Sequence, residues 1–199
     1  MTKIVKKIKV SKYQKLLKSI DFIKEEFLLD IRNENRNTRN ERVGVFIDVQ
    51  NVYYGAKNKF NGKIDFKKLL KNICRDRRIE KANAYLVNSD IDSVNFVKLL
   101  NQLGYNVISK DLKVRGDGSA KGNTDIEMTM DILNLKDNLD TVALVSGDGD
   151  FVPLVELLKS QSVNVEVYSF DSNTAYDLKN VSSKFFELNE DYIFEKGKK

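Results

Sequence analysis

"VALVSGDGDFVPLVELLKSQSVNVEVYSF", residues 142–170, is the stretch on which the reading of the chain turns. It opens on an apolar run, Val142 to Val145, of the kind that forms a strand covered on both faces. The acidic, glycine-punctuated turn Ser146-Gly147-Asp148-Gly149-Asp150 stops that run. Apolar residues then recur at helical spacing over 152–161. Pro153 is tolerated there because the first turn of a helix leaves its amide unused. A second apolar run, 163–168, follows at once. Strand, helix, strand in that order is a βαβ unit, and such units build parallel sheets.

The same alternation extends outward in both directions. Strands are expected at 43–48, 82–87, 105–110, 141–146, 163–168 and 184–188. Helices are expected at 65–76, 92–103, 125–136 and 152–161, with a short one near 174–180. The fold class is therefore α/β with a mostly parallel sheet.

In an open parallel sheet, ligands bind beyond the carboxyl ends of the strands. Asp48 closes the run "VGVFID", and "SGDGD" closes "TVALV", so two acidic segments about a hundred residues apart share one edge. A third lies in "KGNTDIEMTMD", residues 121–131, where Thr124 and Glu127 read as a capping box and Asp125 falls in the first helical turn. That helix follows the third strand, so its start can face the same edge. Asp131, six residues on, is rotated about 240° from Asp125 and ranks below it.

Each acid also has a purely structural reading. Asp150 can cap the helix starting at Phe151. Asp125 can complement a helix dipole. Asp48 can close an Asx turn, or Asn51 can hold its rotamer. Taken together, however, three or four carboxylates at one edge repel one another unless a cation intervenes.

The chain has no histidine and one cysteine, Cys74, read as a small core residue on a helix face. That excludes histidine-based acid–base catalysis, Ser-His-Asp and Cys-His pairs, an internal disulfide and a zinc site. Oxygen-only ligands favour Mg²⁺ or Mn²⁺, ions suited to phosphodiester cleavage. Asp48, Asp125, Asp148 and Asp150 are the candidate metal ligands, and with Asn51 the candidate catalytic set.

Around this edge, Tyr53 and Tyr54 can stack nucleobases or simply pack. Lys110, Lys113, Arg115 and Lys121 bracket "GDGSAKG", where they can approach a phosphate backbone or remain solvated.

The net charge is +5, and residues 1–42 hold 12 Lys+Arg against 6 Asp+Glu. Residues 12–31 read as an amphipathic helix with Leu16, Ile20, Ile23, Phe27 and Ile31 on one face, a surface for RNA contacts, a homodimer or a protein partner. The expected organisation is a basic helix and polar linker over 1–42, the globular domain over 43–190, and a charged tail over 191–199. Neither a membrane span nor a secretory signal is expected, and the single cysteine suits a reducing cytoplasm.

"FIDVQNVYYG", "KGNTDIEMTMDI" and the stretch from Val142 to Phe170 resemble three signatures of NYN domains, specifically the LabA-like group of the PIN-like nuclease superfamily. The resemblance covers roughly residues 43–190. It implies a three-layer α/β/α, Rossmann-like fold and a metal-dependent ribonuclease site, with single-stranded RNA as the expected partner. The family's acidic positions match Asp48, Asp125, Asp148 and Asp150, with Asn51 beside the first. Val49 and Gln50 stand where the family usually has a small or acidic residue.

Two other classes compete, a binding module and a phosphotransfer domain such as a receiver or an aspartate-nucleophile phosphatase. A non-catalytic RNA-binding or regulatory module would use the same cleft, but a pure binder gains nothing from acids that repel phosphate. An aspartate-nucleophile phosphatase wants Asp-x-Asp after the first strand, where position 50 is Gln. A receiver wants a phospho-acceptor on a central strand, where 87–89 read Val-Asn-Ser.

Overall fold

Unbroken apolar strands need cover on both faces, and the sheet here is built to receive it. A computed structural model describes residues 40–88, 93–111, 113–114, 120–121 and 124–196. The amphipathic helix expected over 12–31 and nearly all of the expected linker lie outside the described residues. In chain order the main sheet consists of β1 (Arg42–Asp48), β3 (Arg78–Asn88), β4 (Asn106–Asp111), β7 (Thr141–Val145), β8 (Asn164–Ser169) and β9 (Lys184–Glu187). Its spatial order is β4-β3-β1-β7-β8-β9, with every neighbouring pair parallel. Counted among themselves these six strands run 3-2-1-4-5-6, a doubly wound sheet whose winding reverses between β1 and β7. The reversal opens a crevice at the carboxyl ends of those two strands.

Helices cover both faces. On one lie α1 (Val49–Phe60), α2 (Phe66–Cys74) and α3 (Ser93–Gln102), and Val45 and Ile47 of β1 pack with Val52, Ala56, Leu69 and Leu100. On the other lie α4 (Asp125–Leu135), α5 (Val152–Ser160) and α6 (Tyr176–Val181), and Phe46 packs with Met128, Ile132, Leu154, Val155 and Leu178. Each fully buried side chain of this size contributes about 1.5–3 kcal/mol before the entropy of ordering it is subtracted. The three-layer α/β/α arrangement is the one expected.

Several expectations need correction. No helix was expected between Asp48 and Asp65, yet α1 fills most of that interval. Its sequence, with β-branched residues, two tyrosines and a glycine, reads poorly as a helix. Packing decides: Val49, Val52, Gly55 and Ala56 are buried, and a Cβ on Gly55 would lie 2.5 Å from the Phe170 ring. Gly55 lets the helix approach the sheet, and Asn61 in the left-handed conformation closes it.

β3 starts at Arg78, earlier than the expected strand, because its polar first residues are held by pairing with β1. The strand β10 (Ile193–Lys196) pairs antiparallel with β2 (Gly62–Ile64), so part of the segment read as a charged tail belongs to the fold. Likewise Arg42, read as linker, is the first residue of β1 and forms an ion pair with Asp140 at 2.7 Å.

The amino-terminal edge of the sheet has its own polar network. The guanidinium of Arg77 donates to both carboxylate oxygens of Glu166 at 2.9 Å and to Glu41 at 3.3 Å. Tyr168 Oη donates to Glu166 at 2.7 Å. These charges serve the fold, and the acids of the opposite edge are separate from them.

Candidate metal centre at the carboxyl edge

Each acid reaches the crevice on a different element. β1 ends at Asp48, which then caps α1: its Oδ1 accepts the backbone N–H of Asn51 at 3.0 Å. β7 ends at Val145, and the following turn runs through Ser146, Gly147 and Asp148 into a 3₁₀ turn, Gly149–Phe151, that leads into α5. Asp125 is the first residue of α4. One carboxylate oxygen each from Asp125, Asp148 and Asp150 lies within 4.8 Å of the others.

Asp48 is their half-buried neighbour. Burial, together with the nearby charges of Asp125 and Asp148, pushes its carboxyl up to about 6, against the backbone N–H groups of Asn51 and Gln50. Such a rise marks a group whose negative charge lacks compensation.

Of the two structural readings of this pair, the Asx turn is the one that forms: the backbone N–H of Asn51, and not its side chain, holds Asp48. The side-chain Oδ1 instead accepts the backbone N–H of Gly147 at 3.0 Å. One residue therefore ties the turn after β1 to the turn after β7.

Gly147 must be glycine for steric reasons. A Cβ there would fall 2.2 Å from the carbonyl oxygen of Asn173 and 2.7 Å from Ser169 Oγ. The carbonyl of Gly147 also accepts the N–H of Ala175 at 2.9 Å. Ser146 Oγ accepts the N–H of Asp148 at 3.2 Å, which fixes the turn from within.

Two capping assignments are revised. Asp148, not Asp150, is the cap: its Oδ1 accepts the N–H of Asp150 at 2.9 Å, and the Asp150 side chain is left exposed. The turn is too tight for Asp150 to reach back over the helix start. The capping box of Thr124 and Glu127 does not form, since Thr124 makes no side-chain cap bond. Glu127 turns instead to Lys110, at 2.6 Å, which holds its carboxyl below the usual range.

Lys110, read from the sequence as able to approach a phosphate backbone, is thus engaged by a carboxylate. Lys113 and Lys121 are register partners in the small antiparallel pair of β5 (Lys113–Val114) and β6 (Ala120–Lys121). Arg115 lies outside the described residues. Asp131 is engaged elsewhere, accepting from Tyr85 Oη at 2.7 Å, as its rotation from Asp125 requires.

Tyr53 and Tyr54 are 38% and 53% exposed and meet edge to face at 5.4 Å. They are therefore open to a stacking partner. Sequence reasoning passed over Gly147, Ser146 and Ser169. Ser169 ends β8 on this same edge, fully buried, its Oγ without a hydrogen-bond partner among the described residues. The strand-end rule that found Asp48 and Asp148 could have found Ser146 and Ser169 as well.

The donor set fits a hard divalent cation. Three carboxylates converge, a fourth is raised by burial and by the charges of Asp125 and Asp148, and the whole chain has no histidine. Among the described residues, no helix is long and apolar enough to cross a membrane.

The sequence model of the family described as "NYN domain" matches residues 42–189. The chain is 33% identical over 161 residues to "Low amplitude and bright protein LabA" of Synechococcus elongatus, a match that covers 76% of this chain and 86% of that protein. The crystal structure of a protein of unknown function from Vibrio parahaemolyticus superimposes with a TM-score of 0.73 at 31% identity, covering 78% of this chain and 98% of that one.

Proposed function

The chain belongs to the NYN domain family, and from that membership we propose that it is a Mg²⁺- or Mn²⁺-dependent endoribonuclease acting in a reducing cytoplasm. The observation that carries this reading is the convergence of Asp125, Asp148 and Asp150 at the switch point of the sheet, with Asp48 half-buried beside them. Evenly matched repulsion of this kind is a standing cost in a protein that only binds RNA. It is useful where a cation and a phosphate must be held together.

In this reading Asp48, Asp125, Asp148 and Asp150 hold the cation. A cation there supplies the Lewis acidity that activates water and offsets charge developing on the phosphate. Asn51 keeps the Asp48 turn and the Asp148 turn in register, so the acids are positioned before the substrate arrives. Tyr53 and Tyr54 offer exposed rings to unpaired bases. Lys113, Arg115 and Lys121 are assigned to the phosphate backbone, from their place in the sequence beside the start of α4.

Incubation of the purified chain with end-labelled single-stranded RNA, in Mn²⁺, Mg²⁺ or EDTA, tests the reading. Internal cuts in either ion and none in EDTA are expected. Binding without cleavage in all three would leave the non-catalytic RNA-binding module in its place.

A further inference from the structure

The crevice has a second wall. Tyr53 and Tyr54 stand on α1, which covers one face of the sheet. Across the acidic turn, the segment after β8 leads into α6, which packs on the opposite face through Leu178. Its first residue, Tyr176, is 75% exposed, the most exposed large hydrophobic side chain among the described residues.

The backbone carrying Tyr176 is fixed to the acidic turn. Ala175, immediately before it, donates its N–H to Gly147 O at 2.9 Å. A Cβ on Gly149 would lie 3.1 Å from Ala175 Cβ, so Ala175 also abuts the residue between Asp148 and Asp150. The approach to α6 is braced on its other side. Asn173 N–H and Thr174 Oγ1 both donate to Phe170 O, at 2.9 and 2.8 Å. Lys179 Nζ reaches back to the Asp171 carboxylate and, at 3.2 Å, to its carbonyl. An aromatic ring held in water on a braced backbone loses little further freedom when a partner stacks on it.

The chain order suits a nucleic-acid strand. β1 and β8 flank β7 on either side, so the segments that carry the two aromatic walls leave the sheet at the carboxyl ends of the strands on either side of the acidic turn. Every nucleobase has a face that stacks on a tyrosine, whatever its sequence. A base pair inside a duplex has no free face to offer.

We propose that Tyr176 is a nucleobase-stacking residue, forming with Tyr53 and Tyr54 a two-walled cradle that places one unpaired base on each side of the phosphate held at the acidic turn. This rests on the nuclease reading above and adds to it a residue that discriminates single strands from duplex. Tyr176 is a positioning residue, acting on the substrate's base and not on the reacting phosphate.

The test uses the full chain and a single-stranded RNA of about eight nucleotides carrying 2-aminopurine at successive positions, in Mn²⁺. Stacking of the probe on Tyr176 quenches its fluorescence at one position, on one side of the cut. Tyr176→Ala abolishes that quench and raises KM by about fivefold or more, the range base–aromatic stacking supports. Tyr176→Phe keeps both, because the ring and not the hydroxyl is used. An abasic site at the quenched position removes the difference between wild type and Tyr176→Ala. If the wild type cuts but Tyr176→Ala shows the same quench and the same KM, the stacking role is overturned and the nuclease reading stands. If the wild type neither cuts nor quenches with Mn²⁺ present, both fall.

Discussion

Asn51 Oδ1 accepts the N–H of Gly147 at 3.0 Å, and this bond joins two turns that are 96 residues apart in the chain. The same residue's N–H is bound by Asp48, so one side chain and one amide set the distance between two acidic segments. Asn51→Ala leaves the Gly147 N–H without its partner, and an unsatisfied donor of this kind costs about 1–3 kcal/mol. Urea unfolding in EDTA is expected to show a loss of that size. Cleavage is expected to fall more steeply than stability, because the acids lose their register. Stability and rate both at wild-type levels would show that the bond does not organise the site.

Asp148→Asn separates charge from scaffold. An asparagine still offers Oδ1 to the Asp150 N–H, so the 3₁₀ turn keeps its cap. What disappears is one negative charge from the converging set. The expected outcome is loss of RNA cleavage by two orders of magnitude or more, roughly what removal of a charge-stabilising group costs elsewhere, with a melting temperature equal to or above wild type in EDTA. Asp148→Ala, which loses cap and charge together, is expected to melt lower than Asp148→Asn. Full activity in Asp148→Asn would remove Asp148 from the site.

The raised carboxyl of Asp48 makes a prediction about pH for the cation-free protein. Its folded value is about 6, against an ordinary 3.8. Between those values the folded state binds more proton than the unfolded state, so stability falls as pH rises through the window. A rise of this size corresponds to a loss of about 3 kcal/mol when complete. Denaturant melts in EDTA from pH 4 to pH 7 are expected to show the decline. Asp48→Asn is expected to flatten it and to be the more stable protein at pH 7. A decline of equal size in that variant would assign it to other groups.

How much of this was legible beforehand depends on whether a feature is set by pattern or by packing. The central strands were legible because doubly covered strands are apolar without interruption, as in Val142 to Val145. Placing Asp48 and Asp148 on one edge needed only strand direction. α1 was not legible, because its reason for being a helix is Gly55 lying against Phe170, a contact between residues 115 positions apart that local propensity opposes. Nor was the choice of cap. Asp148 and Asp150 have the same chemistry two residues apart, and only the tightness of the turn selects Asp148. Glu127 matched a capping-box spacing, but a lysine on β4 was the better partner. β10 was hidden because a short edge strand with charged residues reads as a tail until its partner, β2, is known.

Cation binding is expected to reverse the repulsion. An ion held only by the folded state raises stability by RT ln(1 + [L]/Kd), about 2.7 kcal/mol at a hundredfold excess over Kd. Titration with Mg²⁺ or Mn²⁺ in the millimolar range is expected to raise the melting temperature, with the shift reduced in Asp125→Asn, Asp148→Asn and Asp150→Asn. Zn²⁺ is expected to give no comparable gain, since the oxygen-only donor set lacks the imidazole and thiolate it prefers. A flat response to both hard ions would favour a binding module without metal.

The amino-terminal arm carries the last prediction. Residues 1–20 hold seven lysines and no acid, while the folded domain begins with β1 at Arg42. Lysines that neutralise phosphates release counterions, and each contact to single-stranded RNA steepens the fall of log K with log salt by about 0.7. Deleting residues 1–40 removes those charges and leaves all four acids of the edge in place. RNA affinity at low salt is expected to drop and its salt slope to flatten by several such increments. A short substrate is expected to be cut by the truncated protein at a maximal rate close to that of the full chain, because the four acids remain. The competing use of the arm is assembly, through the stripe of Leu16, Ile20, Ile23, Phe27 and Ile31. Affinity measured against salt for both proteins, alongside sedimentation, separates the two. Equal slopes with a smaller sedimenting mass for the truncated protein would make the arm an assembly element and its lysines a solvated face.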